Sequence, residues 1–282
     1  MHIFNPLSTP STSTGLFRSL SLQGRWLSAA LNTAIIMGLY EFYDYGRGLI
    51  PRNGPVALQH AHEVWNWEVR HGIFVEPDWQ QFWLTKVHML AGLRFTPARV
   101  TELLNTGYLY IHFLGTIAFL IWLFLFRRQI FPYVRNIFFV TTAIALVVYI
   151  LYPLAPPRLT PNLLYYHRHY IFIDTVRLVI DPRLQTSQIG YNPYAAMPSL
   201  HFGWALIIGC TLAATLRFWP LRVLCLGYPF FMLAVIVISG NHFFADAIGS
   251  AVVVAVATAA VTLWMAWRKQ LPWRLAAPSQ TA

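Results

Sequence analysis

Long apolar runs dominate the chain, and the cleanest of them, from Gly107 to Phe126, contains no Asp, Glu, Lys or Arg. A helix crosses the hydrocarbon core of a bilayer with about 20 mostly apolar residues, so this run predicts a membrane span. Comparable runs at 26–43, 134–153, 198–216, 220–240 and 244–266 bring the predicted spans to six. The expected fold class is therefore all-α, a polytopic membrane protein. One membrane-embedded domain is expected over 26–266, between a tail at 1–25 and a second at 267–282. Residues 1–15 are rich in Ser, Thr and Pro, and no apolar stretch precedes residue 26. They read as a disordered tail and not as a cleaved secretory signal.

Between the first two spans the pattern changes. In VWNWEVRHGIFVEPDWQQFWLTKVHML (residues 64–90), Trp and Phe alternate with charges at roughly helical spacing, which cannot cross lipid. It predicts interfacial amphipathic helices, with Trp65, Trp67, Trp79 and Trp83 as anchors in the headgroup layer. A small folded cap outside the membrane fits the same pattern. Glu68 and Glu76 read here as solvated charges, with contact to a polar headgroup as the other reading.

Composition agrees with the bilayer: 57% of residues are hydrophobic and 11% charged, against about 25% charged in soluble domains. The net charge of +10 does not point to nucleic acid, because the cations are interleaved with apolar residues and form no polar, Lys-rich face. Topology explains it better. With the amino terminus inside, the inner segments carry Arg18, Arg25, Arg127, Arg128, Arg135, Arg217, Arg222, Arg268, Lys269 and Arg274 and no acid. The positive-inside rule then puts both termini in the cytoplasm. Cys210 and Cys225 fall within apolar runs and read as small buried hydrophobes, too few for a disulfide framework or a thiolate metal site.

With this topology three pieces share the extracytoplasmic face: YPLAPPRL after the third span, YNPYAAMPSLHFGWA opening the fourth, and SGNHFFADAIG between the fifth and sixth. Ionisable groups at membrane depth are functional candidates by default. His242 and Asp246 are four residues apart at a helix start, so they share a face and the carboxylate can accept the proton of one ring nitrogen. The other nitrogen is left able to attack phosphorus. His201 follows Pro198 and Ser199 where backbone amides lack intrahelical partners and anions bind. There it can act as general acid and then base. Arg158 offers a fork of donors for phosphate oxygens. Arg47, just outside the first span, either binds a lipid phosphate or snorkels. His60, His62, His71, His88, His112, His167 and His169 show no partner spacing.

On PSLH (Pro198 to His201), HFFAD (His242 to Asp246) and APPR ending at Arg158, the chain resembles the type-2 phosphatidic acid phosphatase superfamily, in a branch similar to fungal inositol phosphorylceramide synthases. The resemblance spans most of residues 35–255. It implies a six-helix membrane fold and a metal-independent reaction, with His242 as the phosphorylated nucleophile, Asp246 as its orienter and His201 as the acid. Two phosphate-binding cations of the usual motifs are missing. Leu151 stands in place of a Lys, and Val235 and Ile236 in place of a Ser-Arg pair. This favours a lipid phosphodiester or diphosphate over a phosphate monoester, with Arg47 or Arg168 left to supply charge.

The expected function is thus an integral membrane lipid phosphatase or phosphotransferase, its acceptor water or a hydroxyl such as that of inositol, and its partners the bilayer and a membrane lipid. No cofactor is expected. A metal site of His201, His242 and Asp246 has acceptable ligand types, but lacks the close His pair of helical metal motifs and has Arg158 beside it. A non-catalytic lipid transporter or scaffold that keeps the phosphate pocket is the rival, and it predicts binding without turnover.

Overall fold

The computed structural model describes residues 53–165, 168–175 and 192–271, with a few isolated positions between 38 and 48. The predicted first span, apart from Gly38 and Glu41, and Arg47 lie outside the described residues.

Helix α1 (Gly54–His71) starts where the Asn53 side chain accepts the Val56 N–H at 3.3 Å, with Pro55 in the first turn, a common way to satisfy amides that have no partner within the helix. Helix α2 (Glu76–Thr85) follows, then a hairpin of β1 (His88–Leu90) and β2 (Leu93–Phe95) with Met89 opposite Arg94. The Thr96 side chain caps α3 (Pro97–Thr106), which continues through a π-helical turn at Gly107–Ile111 into α4 (His112–Phe126). Helix α5 (Phe131–Leu151) leads to a 3-10 turn at Pro157–Leu159 and a short antiparallel pair, β3 (Leu164–Tyr165) and β4 (Arg168–His169). Helices α6 (Leu200–Thr215), α7 (Trp219–Ile238) and α8 (Phe244–Trp267) complete the described chain.

Among the described residues four helical stretches are long and apolar enough to cross a membrane: Pro97–Phe126, Phe131–Leu151, Trp219–Ile238 and Phe244–Trp267. The chain is a multi-pass membrane protein. Two predicted bounds shift. The span expected from Gly107 begins its helix at Pro97, because the polar α3 joins it without a break. The helix expected over 198–216 has only 16 residues, since Pro198 and Ser199 belong to the turn that enters it. Large apolar side chains such as Leu114, Ile121, Val252 and Val256 are exposed, as hydrocarbon requires of helices whose backbone groups are satisfied internally. For the same reason Cys210 is exposed and Cys225 half-buried, which corrects the buried reading: an apolar run in a membrane helix has a lipid face as well as a core face.

The stretch between the first and second spans is less peripheral than its pattern implies. Ala57, Ala61 and Val64 of α1 are buried in one core cluster with Leu154, Ala155 and Phe243. Trp65 packs against that cluster, and Trp79 and Trp83 pack against a second one built on Met232, Val235 and Ile236. Of the four expected anchors only Trp67 is exposed.

Close helix approach in membranes relies on small residues. A Cβ at Gly209 of α6 would sit 2.6 Å from the Cys225 carbonyl and 2.8 Å from Pro229 Cδ on α7, while one at Gly227 would meet nothing within 4 Å. Gly209→Ala is therefore expected to destabilise by about 1–3 kcal/mol, the usual cost of overpacking. Gly227→Ala should be neutral. Thermal unfolding in detergent separates the two.

Candidate active site

The ends of four helices meet here: the C-termini of α5 and α7 and the N-termini of α6 and α8. Their approach is built from hydrogen bonds to backbone carbonyls. Arg158 N–H donates to the Gly240 carbonyl at 3.0 Å, and Ser199 N–H to the Asp246 carbonyl at 3.2 Å. Ser250 Oγ donates to the Ser199 carbonyl at 2.8 Å, and Tyr149 OH to the Pro198 carbonyl at 2.7 Å. The three motifs, far apart in sequence, are tied into one site.

The first amides of a helix have no partners within it, and α8 satisfies three of them with carboxylates. Phe243 N–H donates to Asp246 Oδ2 at 3.1 Å, Phe244 N–H to Glu76 Oε1 at 2.6 Å, and Ala245 N–H to Glu68 Oε1 at 2.7 Å. Glu68 and Glu76 are fully buried, which overturns their reading as solvated charges. The positive end of the helix dipole and the unpaired amides draw them inward. Burial raises Glu68 to about 10, with the neighbouring charge of Glu76 adding to it. Burial also raises Glu76, to about 7, against the lowering effect of the Phe244 N–H.

Asp246 Oδ2 also accepts from His242 Nδ1 at 3.0 Å, with both side chains buried. The carboxylate is acceptor-only when ionised, so this contact assigns the ring proton to Nδ1 and the lone pair to Nε2. The sequence reading put His242 on the helix. Instead it precedes Phe243, the N-cap of α8, and Asp246 reaches back from the first turn in a capping-box manner. The pair forms all the same, because one carboxylate oxygen serves both the N-cap amide and the imidazole. Before it, Gly240 takes a left-handed φ of 70°, and a Cβ there would approach Arg158 Cβ and Gln80 Nε2 to 3.3 Å. Only glycine fits this turn without strain.

His201 occupies the first turn of α6, its ring centroid 6.3 Å from that of His242. It stacks on Tyr108 of the π-turn at 4.0 Å with an interplanar angle of 16°. Ser199, the N-cap of α6, is buried, and its Oγ has no hydrogen-bond partner among the described residues. Arg158 donates from Nε to Asn241 Oδ1 and from Nη1 to Asp174 Oδ2, both at 2.8 Å. The Asp174 segment is itself held in place: Gln80 bonds the backbone of Ile173 and the Ile238 carbonyl, and Asn105 Nδ2 bonds the Thr175 carbonyl.

The structure therefore brings His201, His242, Asp246, Ser199 and Arg158 together. Arg47 falls outside the described residues, as does the side chain of Arg168. Sequence reasoning missed Asp174 and the ring of Tyr108, and it named Glu68, Glu76 and His112 without finding the partners they have here. The sequence signal for the glutamates is two acids within an otherwise aromatic and apolar stretch. Between α4, α6 and α7, running from Tyr228 away from the site, lies an apolar cavity of about 530 Å³ lined by residues including Phe119, Trp122, Ile208 and Leu212.

Fold and site together define a helical membrane protein with a buried His-Asp pair facing a second histidine across the ends of its spans. A family model described as the PAP2 superfamily matches residues 62–261, and the chain belongs to that superfamily. Its members are in general phosphatases, and membership points to a lipid phosphatase-type function. No curated protein and no solved structure matches the chain.

The buried glutamates set a pH dependence. Both bind protons more tightly folded than unfolded, so their stabilising contribution is complete below the ordinary value of 4.5. It is lost as pH rises through about 7 for Glu76 and towards about 10 for Glu68. The unfolding midpoint in detergent is expected to fall between about pH 5 and pH 8. In Glu76→Gln, which keeps an acceptor for Phe244 N–H, the fall should be smaller. A wild-type midpoint that rises across that window contradicts this account.

Proposed function

We propose that the chain is a metal-independent lipid phosphatase or phosphotransferase working through a phosphohistidine at His242. The observation that carries this reading is the 3.0 Å contact of His242 Nδ1 with buried Asp246, opposite His201. Nε2 of His242 attacks phosphorus, an N–P bond forms, and the bond to the leaving oxygen breaks as His201 delivers a proton to that oxygen. His201 then takes the proton of an incoming water or alcohol, whose oxygen attacks phosphorus and releases His242. Chemistry of this kind is mostly positioning and charge stabilisation. The amides at the start of α6, Ser199 Oγ and Arg158 supply donors and charge to the phosphate oxygens, and Asp174 and Asn241 set the direction of the guanidinium.

The substrate is a membrane lipid carrying a phosphodiester or diphosphate, and the transferred group is of the inositol-phosphate type when the acceptor is an alcohol. Leu151, Val235 and Ile236 at the positions of the missing cations support this choice over a monoester. The apolar cavity between α4, α6 and α7 suits an acyl or polyprenyl chain. Six spans, interfacial helices between the first two, cytoplasmic termini and an active site on the extracytoplasmic face of the cell membrane complete the proposal.

Purified protein in detergent with a chelator is expected to release phosphate or headgroup from one member of a panel of phospholipids and polyprenyl diphosphates, with inositol or glycerol as optional acceptors. His242→Ala should lose at least about 10³-fold in turnover and all acid-labile protein-bound phosphate. Asp246→Asn, which disturbs the tautomer, should lose about 10²–10⁴-fold. Lipid binding without turnover in the wild type would move the protein to the transporters.

A further inference from the structure

The site holds a third imidazole that the proposed reaction does not use. His112 lies within the membrane-spanning stretch Pro97–Phe126 and is 3% exposed. An ionisable ring buried at that depth is costly and calls for a function. Three observations say what it does. The π-helical turn Gly107–Ile111 ends immediately before it. Such turns are rare and gather at functional sites, and here the wider turn sets both Tyr108 and His112 against one neighbour. That neighbour is His201: Tyr108 stacks on it at 4.0 Å, and the His112 ring lies 5.1 Å from it at 39°. Finally, His112 is itself held from the opposite helix, its Nδ1 2.9 Å from Tyr228 OH, while its Nε2 is buried with no hydrogen-bond partner among the described residues.

We propose that His112, oriented by Tyr228, is a positioning residue for His201, holding the plane of its ring together with Tyr108 and keeping its surroundings polar enough for it to carry a proton. The role given to His201 rests on the function proposed above; the physical coupling of the two rings does not. Titratable groups disposed around the pair are Tyr108 from the π-turn, Tyr228 from α7 and His242 from the turn before α8, whose ring centroid lies 6.3 Å from that of His201. When Tyr228 donates its O–H to Nδ1, His112 is neutral with its proton on Nε2. It then presents a dipole and not a second positive charge beside His201. Being buried, His112 acts on the proton affinity of its neighbour and not on substrate binding.

The test follows the ring of His201 directly. Protein labelled with 13C in its histidines is titrated by NMR in detergent micelles, with the His201 signal assigned from its loss in His201→Gln. His112→Leu replaces a polar neighbour by hydrocarbon and is expected to lower the His201 midpoint by about one pH unit. Tyr228→Phe, which removes one oxygen and keeps the ring, should move it the same way by less. His112→Gln should restore part of the shift. In turnover, kcat should fall about tenfold, the scale of a partly misplaced general acid, with KM unchanged and the limb of the pH profile due to His201 displaced alongside its midpoint.

A His201 midpoint and pH profile that stay put in folded Tyr228→Phe and His112→Leu would overturn the proposal, even with His242→Ala inactive as expected. Should His112→Leu fail to fold, Tyr228→Phe alone decides. A His201 midpoint that tracks His112 in a protein without turnover would keep the coupling and discard the reaction.

Discussion

The start of α8 is the constraint on which the site depends. Three successive amides there point away from any intrahelical acceptor, in a part of the molecule screened from water, where an unsatisfied donor costs several kcal/mol. Each is taken up by a carboxylate, one from its own first turn and two from helices roughly 170 residues earlier in the chain. The oxygen of Asp246 that accepts the Phe243 amide is also the one that accepts from His242. The cap and the candidate nucleophile thus share one atom. Whatever fixes the helix start fixes the imidazole.

This explains why a region that looks peripheral is integral to the core. Helices α1 and α2 bring Glu68 and Glu76 to α8, and small residues Ala57 and Ala61 let α1 approach closely. Gln80 from the same region binds the end of α7 and the backbone at Ile173, which sets Asp174 against Arg158. The cation, the histidine turn and the acid that orients the histidine are therefore held by polar bonds from one cap. The spans below supply apolar packing and an outer face fit for lipid.

Much of the site was legible in the chain itself. His242 and Asp246 announce themselves by spacing, and PSLH by a proline and serine before a histidine at the head of an apolar run. Apolar runs of span length disclosed the helices, because each one must satisfy its own backbone in lipid whatever its neighbours do. What escaped were the side-chain pairings that depend on a partner distant in sequence. An acid between tryptophans reads as solvated until the helix end that needs it is seen, and His112 reads as one more polar residue until a π-turn carries it beside His201. Apolar runs likewise conceal which side faces lipid, so Cys210 looked buried and is exposed.

By itself, then, the amino-acid sequence determined that this is a helical multi-pass membrane protein and which His, Asp and Arg residues were candidates for chemistry. Local hydrogen bonding and the bilayer act on short segments, and their demands are written residue by residue. Only the tertiary structure decided that Glu68 and Glu76 cap the helix that begins beside His242, that Asp174 and Asn241 flank Arg158, and that His112 adjoins His201. Buried polar groups must find partners wherever packing brings them, and that pairing is a property of the assembled helix ends, which no segment carries alone.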